Sequence, residues 1–404
     1  MARWTRRRFL KTAAVAAGMS RLPRTTQGEA MPECQIARIE TFPMTYPTAG
    51  RFRFFEGPGG ERLGRQAVAV KITADDGTVG WGQSVPSHKW SYETLETVHT
   101  TIDRYLAPVL VGRNAFDAAA IEKAMDTYIA PSFSTGQPIC KAGIDLALFD
   151  LTGKVLGRTA AQRWRRAGRR RITLSWTLNP TTVDDVEPLI EEGWRRGYRN
   201  FNVKVAPDPE FDVAMCRIVR RRVPDGFLWA DANGGFDEAT ALAVAPRLAD
   251  AGVDVFEQPV PPNCLSAHQK LKKQGALPII LDEGVVSSVE LAEFIALGMC
   301  DGVAMKPARC GGLSEARHQI ELVEKHGLMF LGSGLTDPDL SLAATLLLYG
   351  AYDLATPAAL NGPQFLTGSI LTEPLTVQDG QFEVPSGVGL GVEVDPAKLE
   401  AMRV

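Results

Sequence analysis

Between residues 201 and 306, short apolar runs recur at even spacing, and each ends in polar or charged residues. The runs are 201–205, 227–233, 253–259, 279–284 and 302–306, each the length of a buried strand. Helix-length stretches separate them, at 208–223, 237–251 and 287–297, with Asp237 and Ser287 placed as N-caps. Upstream, 172–178 predicts a first strand and 182–196 an amphipathic helix. Downstream, 314–326 predicts a helix, 330–334 closes a seventh strand, 340–348 is helical, and 359–363 gives a last short strand or loop. Strand plus helix at this period is the repeat of a βα barrel.

The N-terminal part reads differently. Residues 66–73 are β-rich, Asp75-Asp76-Gly77 signals a turn, and 78–82 returns. From 92 to 154 the pattern is helical. Residues 52–60 are aromatic and glycine-rich, as suits a mobile flap; Phe52, Phe54 and Phe55 belong either to the core there or to a substrate surface. The tail, 380–394, is strand-like and is expected to return to the N-terminal module. The domain plan is therefore an export segment at 1–30, an α+β cap at 33–160 completed by 370–404, and a barrel at 165–365.

The strand ends carry the chemistry. Asp231, Glu257 and Asp282 follow one another at 26 and 25 residues, each at the C-terminal end of its strand. Strand ends of a barrel converge on one mouth. Three carboxylates there repel unless a cation lies between them, and their hard oxygens suit Mg²⁺. Glu283 competes with Asp282 as the ligand, with register favouring Asp282. Lys204 precedes the trio and Lys306 follows it, so two bases flank the cation. Taken singly, each of these residues is also compatible with a turn, a cap or a solvated strand end. Asn233 orients a ligand or closes a turn, and Gly311-Gly312 starts a helix or offers N–H groups to an anion. His88 and Trp90 occupy a second cap loop.

Composition narrows the classes. With 404 residues, 45% apolar and 23% charged, the chain suits a soluble globular protein of one large or two medium domains. A net charge of −3 argues against nucleic acid. Cysteines 34, 140, 216, 264, 300 and 310 form no metal-type spacing, and His88, His268, His318 and His326 form no HExxH, so zinc is not expected. Residues 1–30 carry Arg6-Arg7-Arg8-Phe9-Leu10-Lys11 before a short, weakly apolar run. This resembles a bacterial Tat signal, with periplasmic location and no stable membrane anchor expected.

These motifs, in this order, resemble the enolase superfamily, muconate lactonizing enzyme subgroup. The stretches that carry the resemblance are Asn202-Val203-Lys204, Asp231-Ala232-Asn233, Glu257-Gln258-Pro259, Asp282-Glu283-Gly284, and Lys306 followed by Gly311-Gly312. The resemblance implies a (β/α)7β barrel with an α+β cap, one Mg²⁺ on Asp231, Glu257 and Asp282, and Lys204 and Lys306 on opposite faces of a carboxylic acid substrate. Mg²⁺ at the carboxylate stabilises the enediolate formed on proton loss. Three positions depart from the family pattern. Asn202 stands where many relatives have a second lysine, Thr336 (with Asp337 beside it) where a glutamate is common, and Gln83 where the cap often has glutamate. The expected function is racemisation or epimerisation of a small acid, an amino-acid derivative among the candidates, by a homo-oligomer. Cycloisomerisation and dehydration use the same groups. A non-catalytic periplasmic binding protein would lack a base or a ligand, and none is missing. Specificity is expected in loops 45–62 and 84–92.

Overall fold

The computed structural model describes residues 32–49, 52–57, 59–131 and 135–404. The expected export segment lies outside them. Three strands, Ile36–Tyr46, Arg65–Ala74 and Val79–Ser84, form an antiparallel meander. The helix Pro138–Leu156 lies across it. Approach is so close that a Cβ on Gly82 would sit 2.1 Å from the Gly143 carbonyl, and one on Gly80 2.3 Å from that of Ala147. Glycine at both positions is thus a packing requirement. The helix is apolar on nearly all sides because both of its faces are covered, one group joining the core under the cap helices and the other the main core.

Seven parallel strands follow in sequential order: Ser175–Leu178, Asn200–Lys204, Leu228–Asp231, Val255–Glu257, Ile279–Leu281, Gly302–Met305 and Met329–Gly332. The eighth position is a segment held by single parallel bridges, Ala358 to Leu174 and Ala359 to Ser333. It closes the barrel. Alternation sorts the strand residues. Phe201, Val203, Phe256, Leu281 and Met305 join the outer core, whereas Trp229, Val255, Ile280, Ala304, Leu331 and Ala359 fill the barrel axis. One residue beyond each strand, or at its last position, the inward side is polar.

The expected first strand, 172–178, is two strands. Arg171–Thr173 pairs antiparallel with Gln381–Glu383 of the tail, and only Ser175–Leu178 enters the barrel. The tail also makes hydrogen bonds to residues of the first strand and of the long helix. The Thr45 N–H donates to the Met402 carbonyl (3.0 Å), the Val404 N–H to that of Pro43 (3.1 Å), and the Leu390 N–H to Asp150 Oδ1 (2.8 Å). Among the described residues, no helix is long and apolar enough to cross a membrane.

Residues 52–57 are not a free flap. Phe52 is buried, stacks on Phe365 at 4.5 Å and packs edge-on against Phe55. The aromatic content that suggested mobility is what docks the segment on the barrel.

Candidate active site

The inward residues at the ends of strands two to six are Lys204, Asp231, Glu257, Asp282 and Lys306. Lys204 donates to Asp231 Oδ2 and, at 3.2 Å, to Asn233 Oδ1. Asn233 sits in the left-handed region (φ 45°), which lets its own N–H reach Asp231 Oδ1 at 2.9 Å. Its side-chain amide donates to Glu283 Oε1 at 3.0 Å. Across the barrel, Lys306 donates to Asp282 Oδ2, and the buried Arg309 donates to Asp282 Oδ1 and to the Ala304 carbonyl at 2.8 Å. The Trp90 ring lies over Lys306, its centroid 4.7 Å from Nζ. Of the two residues singled out in that cap loop, Trp90 thus faces the site, while His88 is exposed.

Glu257 lies between these two ion-paired groups. Both its oxygens are buried, and neither makes a hydrogen bond with a described residue. Burial, then the charges of Asp231 and Asp282, push its carboxyl well above the usual range. Glu283 is pushed up to about 7 by burial and then by Asp282 and Asp231. For Asp282, burial works upward, but Lys306 and Arg309 overcome it and hold the group below its ordinary value. Burial works downward on Lys306, and Asp282, Glu257 and Glu283 carry it above its ordinary value all the same.

Among the described residues, no three carboxylates, imidazoles or thiolates are arranged to hold a metal as they stand. In this arrangement the lysines and Arg309 donate to the oxygens of Asp231 and Asp282. The donor set still fits a hard cation. It is all oxygen, and an unpartnered buried carboxylate at its centre is costly unless something positive compensates it.

Gln258, next to Glu257, braces this arrangement. Its Oε1 accepts from the N–H groups of Asp282 (2.9 Å) and Gly284 (3.2 Å). Its Nε2 donates to the Val260 carbonyl at 3.0 Å and meets His268 Nε2 at 3.1 Å. An amide donor there assigns the proton of a neutral His268 to Nδ1, which faces the Cys264 carbonyl at 2.9 Å. Burial lowers the pKa of this histidine, in keeping with the neutral form.

The other sequence candidates fall into place around the mouth. Asn202 is buried below Lys204, and its Nδ2 has no partner among the described residues. Thr336 is buried with φ 54°. Asp337 is turned to local bracing, accepting from the Leu335 N–H (3.1 Å) and Ser341 Oγ (2.8 Å). Gln83 donates to Tyr46 Oη at 2.8 Å and accepts from the Ser341 N–H at 3.3 Å, linking cap and barrel. The helix start after Gly311-Gly312 is taken by Asp145 of the cap, which accepts from the Leu313 N–H at 2.6 Å and Ser314 Oγ at 2.5 Å. Sequence reasoning passed over Arg309 and His268. Neither lies at a strand end, and only the first, three residues after Lys306, carried even a positional hint.

The family described as "Enolase C-terminal domain-like" matches residues 185–398, and "Mandelate racemase / muconate lactonizing enzyme, N-terminal domain" matches 61–162. Chloromuconate cycloisomerase CbnB of Cupriavidus necator is 32% identical over 338 residues, covering 82% of this chain and 90% of that protein. N-succinyl-L-Arg/Lys racemase of Bacillus cereus is 27% identical over 348 residues, 84% of this chain and 90% of the relative. Among solved structures, muconate lactonizing enzyme of Pseudomonas fluorescens complexed with muconolactone superposes with a TM-score of 0.85 at 25% identity, over 92% of this chain and all (100%) of that one. The chain belongs to the mandelate racemase/muconate lactonizing enzyme family of the enolase superfamily, and it is an isomerase.

Proposed function

We propose that this isomerase removes and returns a proton at the carbon next to a substrate carboxylate, with Lys204 and Lys306 as acid and base on its two faces. The reaction is then racemisation or epimerisation of a small carboxylic acid, an amino-acid derivative in the first instance. One observation carries the reading: two lysines come from strands two and six, on either side of the carboxylates of strands three to five, each already hydrogen-bonded to one of them. A one-base reaction would use the second lysine only as a positive charge beside the enediolate, not as a proton carrier.

Asp231, Glu257 and Asp282 would hold Mg²⁺, and the ion, when bound, would supply positive charge at the substrate carboxylate, making its neighbouring C–H acidic enough for a lysine. Asn233 keeps Lys204 turned toward Asp231, and Arg309 shares Asp282 with Lys306, so that both ammonium groups are oriented before substrate arrives. The Trp90 face further confines Lys306. Trp90 of the cap covers Lys306, and the side chains of Lys306 and Lys204 are only 6% and 13% exposed, so proton exchange with bulk water is restricted.

The test is handed. In D₂O, Lys204→Ala should lose exchange of the α-hydrogen with one enantiomer of a substrate and keep it with the other, and Lys306→Ala should do the reverse, read by mass spectrometry. Loss of both exchanges in both variants, with ligand still bound, would reject the two-base scheme. The 32% identity to a chloromuconate cycloisomerase favours a second reading, cycloisomerisation. Decay of the diene absorbance of muconate or a chloromuconate, with no exchange in any saturated acid, would establish it instead.

A further inference from the structure

The acidic half of the barrel mouth, at the ends of strands three to five, is tied together by Gln258. This residue follows Glu257 and is fully buried, with its backbone in the left-handed region (φ 34°). A residue other than glycine stays there only when its surroundings fix it from several sides. The Gln258 carbonyl accepts from the Gly234 N–H at 2.8 Å, in the loop after strand three, and its N–H donates to the Ile280 carbonyl at 2.8 Å, on strand five. Its side-chain oxygen accepts from the N–H groups of Asp282 and Gly284, the residues on either side of Glu283. The turn that carries Asp282 and Glu283 is thus held from the strand that carries Glu257.

The Gln258 amide has one orientation that satisfies its neighbours. As it stands, the oxygen meets two donors, and the nitrogen meets the Val260 carbonyl and His268 Nε2. Turned over, the nitrogen would face two N–H groups and the oxygen a carbonyl, in an interior where unpaired polar groups are costly. The second acceptor on the nitrogen side comes from another element. His268 lies on the helix Leu265–Gln274, on the face that also buries Ala267 and Leu271. It is fully buried, and its Nδ1–H donates to the Cys264 carbonyl one turn back, which leaves Nε2 with a free lone pair. Core filling on an apolar helix face asks only for an aliphatic side chain. Here both ring nitrogens are engaged, one of them by the neighbour of a site carboxylate.

We propose that His268 is a positioning residue for the cation site: as an acceptor it sets the Gln258 amide, and through that amide the turn that presents Asp282 and Glu283. The proposal rests on the reading that Asp231, Glu257 and Asp282 hold Mg²⁺. His268 acts through Gln258 and not on the ion. Without its acceptor, one N–H of a buried amide is stranded, and the amide relieves this by rotating off the Asp282 and Gly284 N–H groups. The turn is then free to shift, and Mg²⁺ tolerates little displacement of its ligands.

Three substitutions separate this role from packing. His268→Gln brings an amide oxygen to the place of Nε2, His268→Asn reaches only the place of Nδ1, and His268→Met fills the space without an acceptor. Mg²⁺ is titrated calorimetrically into the metal-free full chain, and hydrogen exchange of the peptide spanning residues 280–286 is followed by mass spectrometry in EDTA. His268→Asn and His268→Met should bind Mg²⁺ about tenfold to a hundredfold more weakly than the parent. Exchange in that peptide should be at least about tenfold faster in both, with other barrel peptides unchanged. His268→Gln should recover most of each loss. Parent-like exchange in folded His268→Asn or His268→Met, no recovery in His268→Gln, or failure of both His268→Asn and His268→Met to fold would overturn the role and make His268 a core residue. The exchange pattern as expected, with no Mg²⁺ binding by the parent, would sink the metal reading and leave the hold of His268 on the turn standing. Mg²⁺ bound equally by the parent and every variant would do the reverse.

Discussion

Glu257 is the residue at which the needs of folding and of chemistry conflict most. Its carboxylate is buried, flanked by two others and unpartnered, and the fold responds by favouring its neutral form. Glu257→Gln removes the uncompensated acid while keeping the shape. In the presence of EDTA this variant should be more stable than the parent by about 1–3 kcal/mol in denaturant unfolding at neutral pH. Added Mg²⁺ should raise the stability of the parent and not that of the variant. A variant that is less stable without metal would mean that Glu257 has a structural partner, and the acidic half would need another explanation. This residue was legible in the sequence, as were Lys204, Asp231, Asp282 and Lys306, because a strand's period of two and its C-terminal end jointly specify which residue faces the mouth. Arg309 was not. It lies in a turn after the sixth strand, and nothing periodic there distinguishes a guanidinium aimed inward from one in water. Asp337 drew notice only by standing beside Thr336, and its oxygens are engaged by its own turn.

At the scale of elements, caps and strand runs were readable and pairing partners were not. Asp237 accepts from the Thr240 N–H at 2.7 Å and Ser287 from that of Glu290 at 3.4 Å, as their positions predicted. The break at Leu174 was invisible, because it reflects competition between the tail on one side and the barrel on the other, with the Leu174 N–H donating to Gly380 at 2.9 Å. A more demanding cap is that of the buried helix Pro138–Leu156. Glu93, from the cap loop, accepts from the N–H groups of Ile139 (2.8 Å) and Cys140 (2.7 Å). Burial pushes its carboxyl up to about 7, against those two hydrogen bonds. The sign follows from linkage. Between the ordinary glutamate value and 7 the folded state binds the extra proton, so stability contributed by this group is full at low pH and is lost as pH rises through that window. The parent should lose up to about 3 kcal/mol there relative to Glu93→Gln, which has no such proton to give up. Unfolding free energies measured at several pH values from 4 to 8 decide it: parallel curves for the two proteins would show that Glu93 stays ionised at the helix end.

Over the whole molecule, the site depends on a cap and a barrel being held in one relation, and Arg65 occupies the seam. It begins the second cap strand, is 1% exposed, and finds carbonyls on both sides. Its Nη1 donates to Gln66 (2.9 Å) and Pro86 (2.5 Å), its Nη2 to Val85 (2.8 Å), and Nε and Nη2 together to Leu335 on the barrel (3.1 and 2.8 Å). Val85 and Pro86 lead into the loop that lays Trp90 over Lys306, so the same guanidinium ties the substrate-facing cap loop to the loop after the seventh strand. Burial pulls its pKa down to about 10, with Asp337 opposing, so it remains charged at neutral pH. Replacement by methionine keeps the bulk and strands several buried carbonyls. Arg65→Met should lose about 3 kcal/mol or more of stability in denaturant unfolding. Lysine, with three donors and no planar fork, should recover part of that. The further expectation separates clamping from mere stability. In folded Arg65→Lys, the KM for an acid that is turned over should rise by more than kcat falls, because the loop above Lys306 is released while both lysines and the carboxylates stay on their strands. If Arg65→Met unfolds at the parent's denaturant midpoint, the seam is held elsewhere, by Asp145 at the helix start after Gly312 and by the Gln83 link to Ser341, and the cap loop owes its position to those.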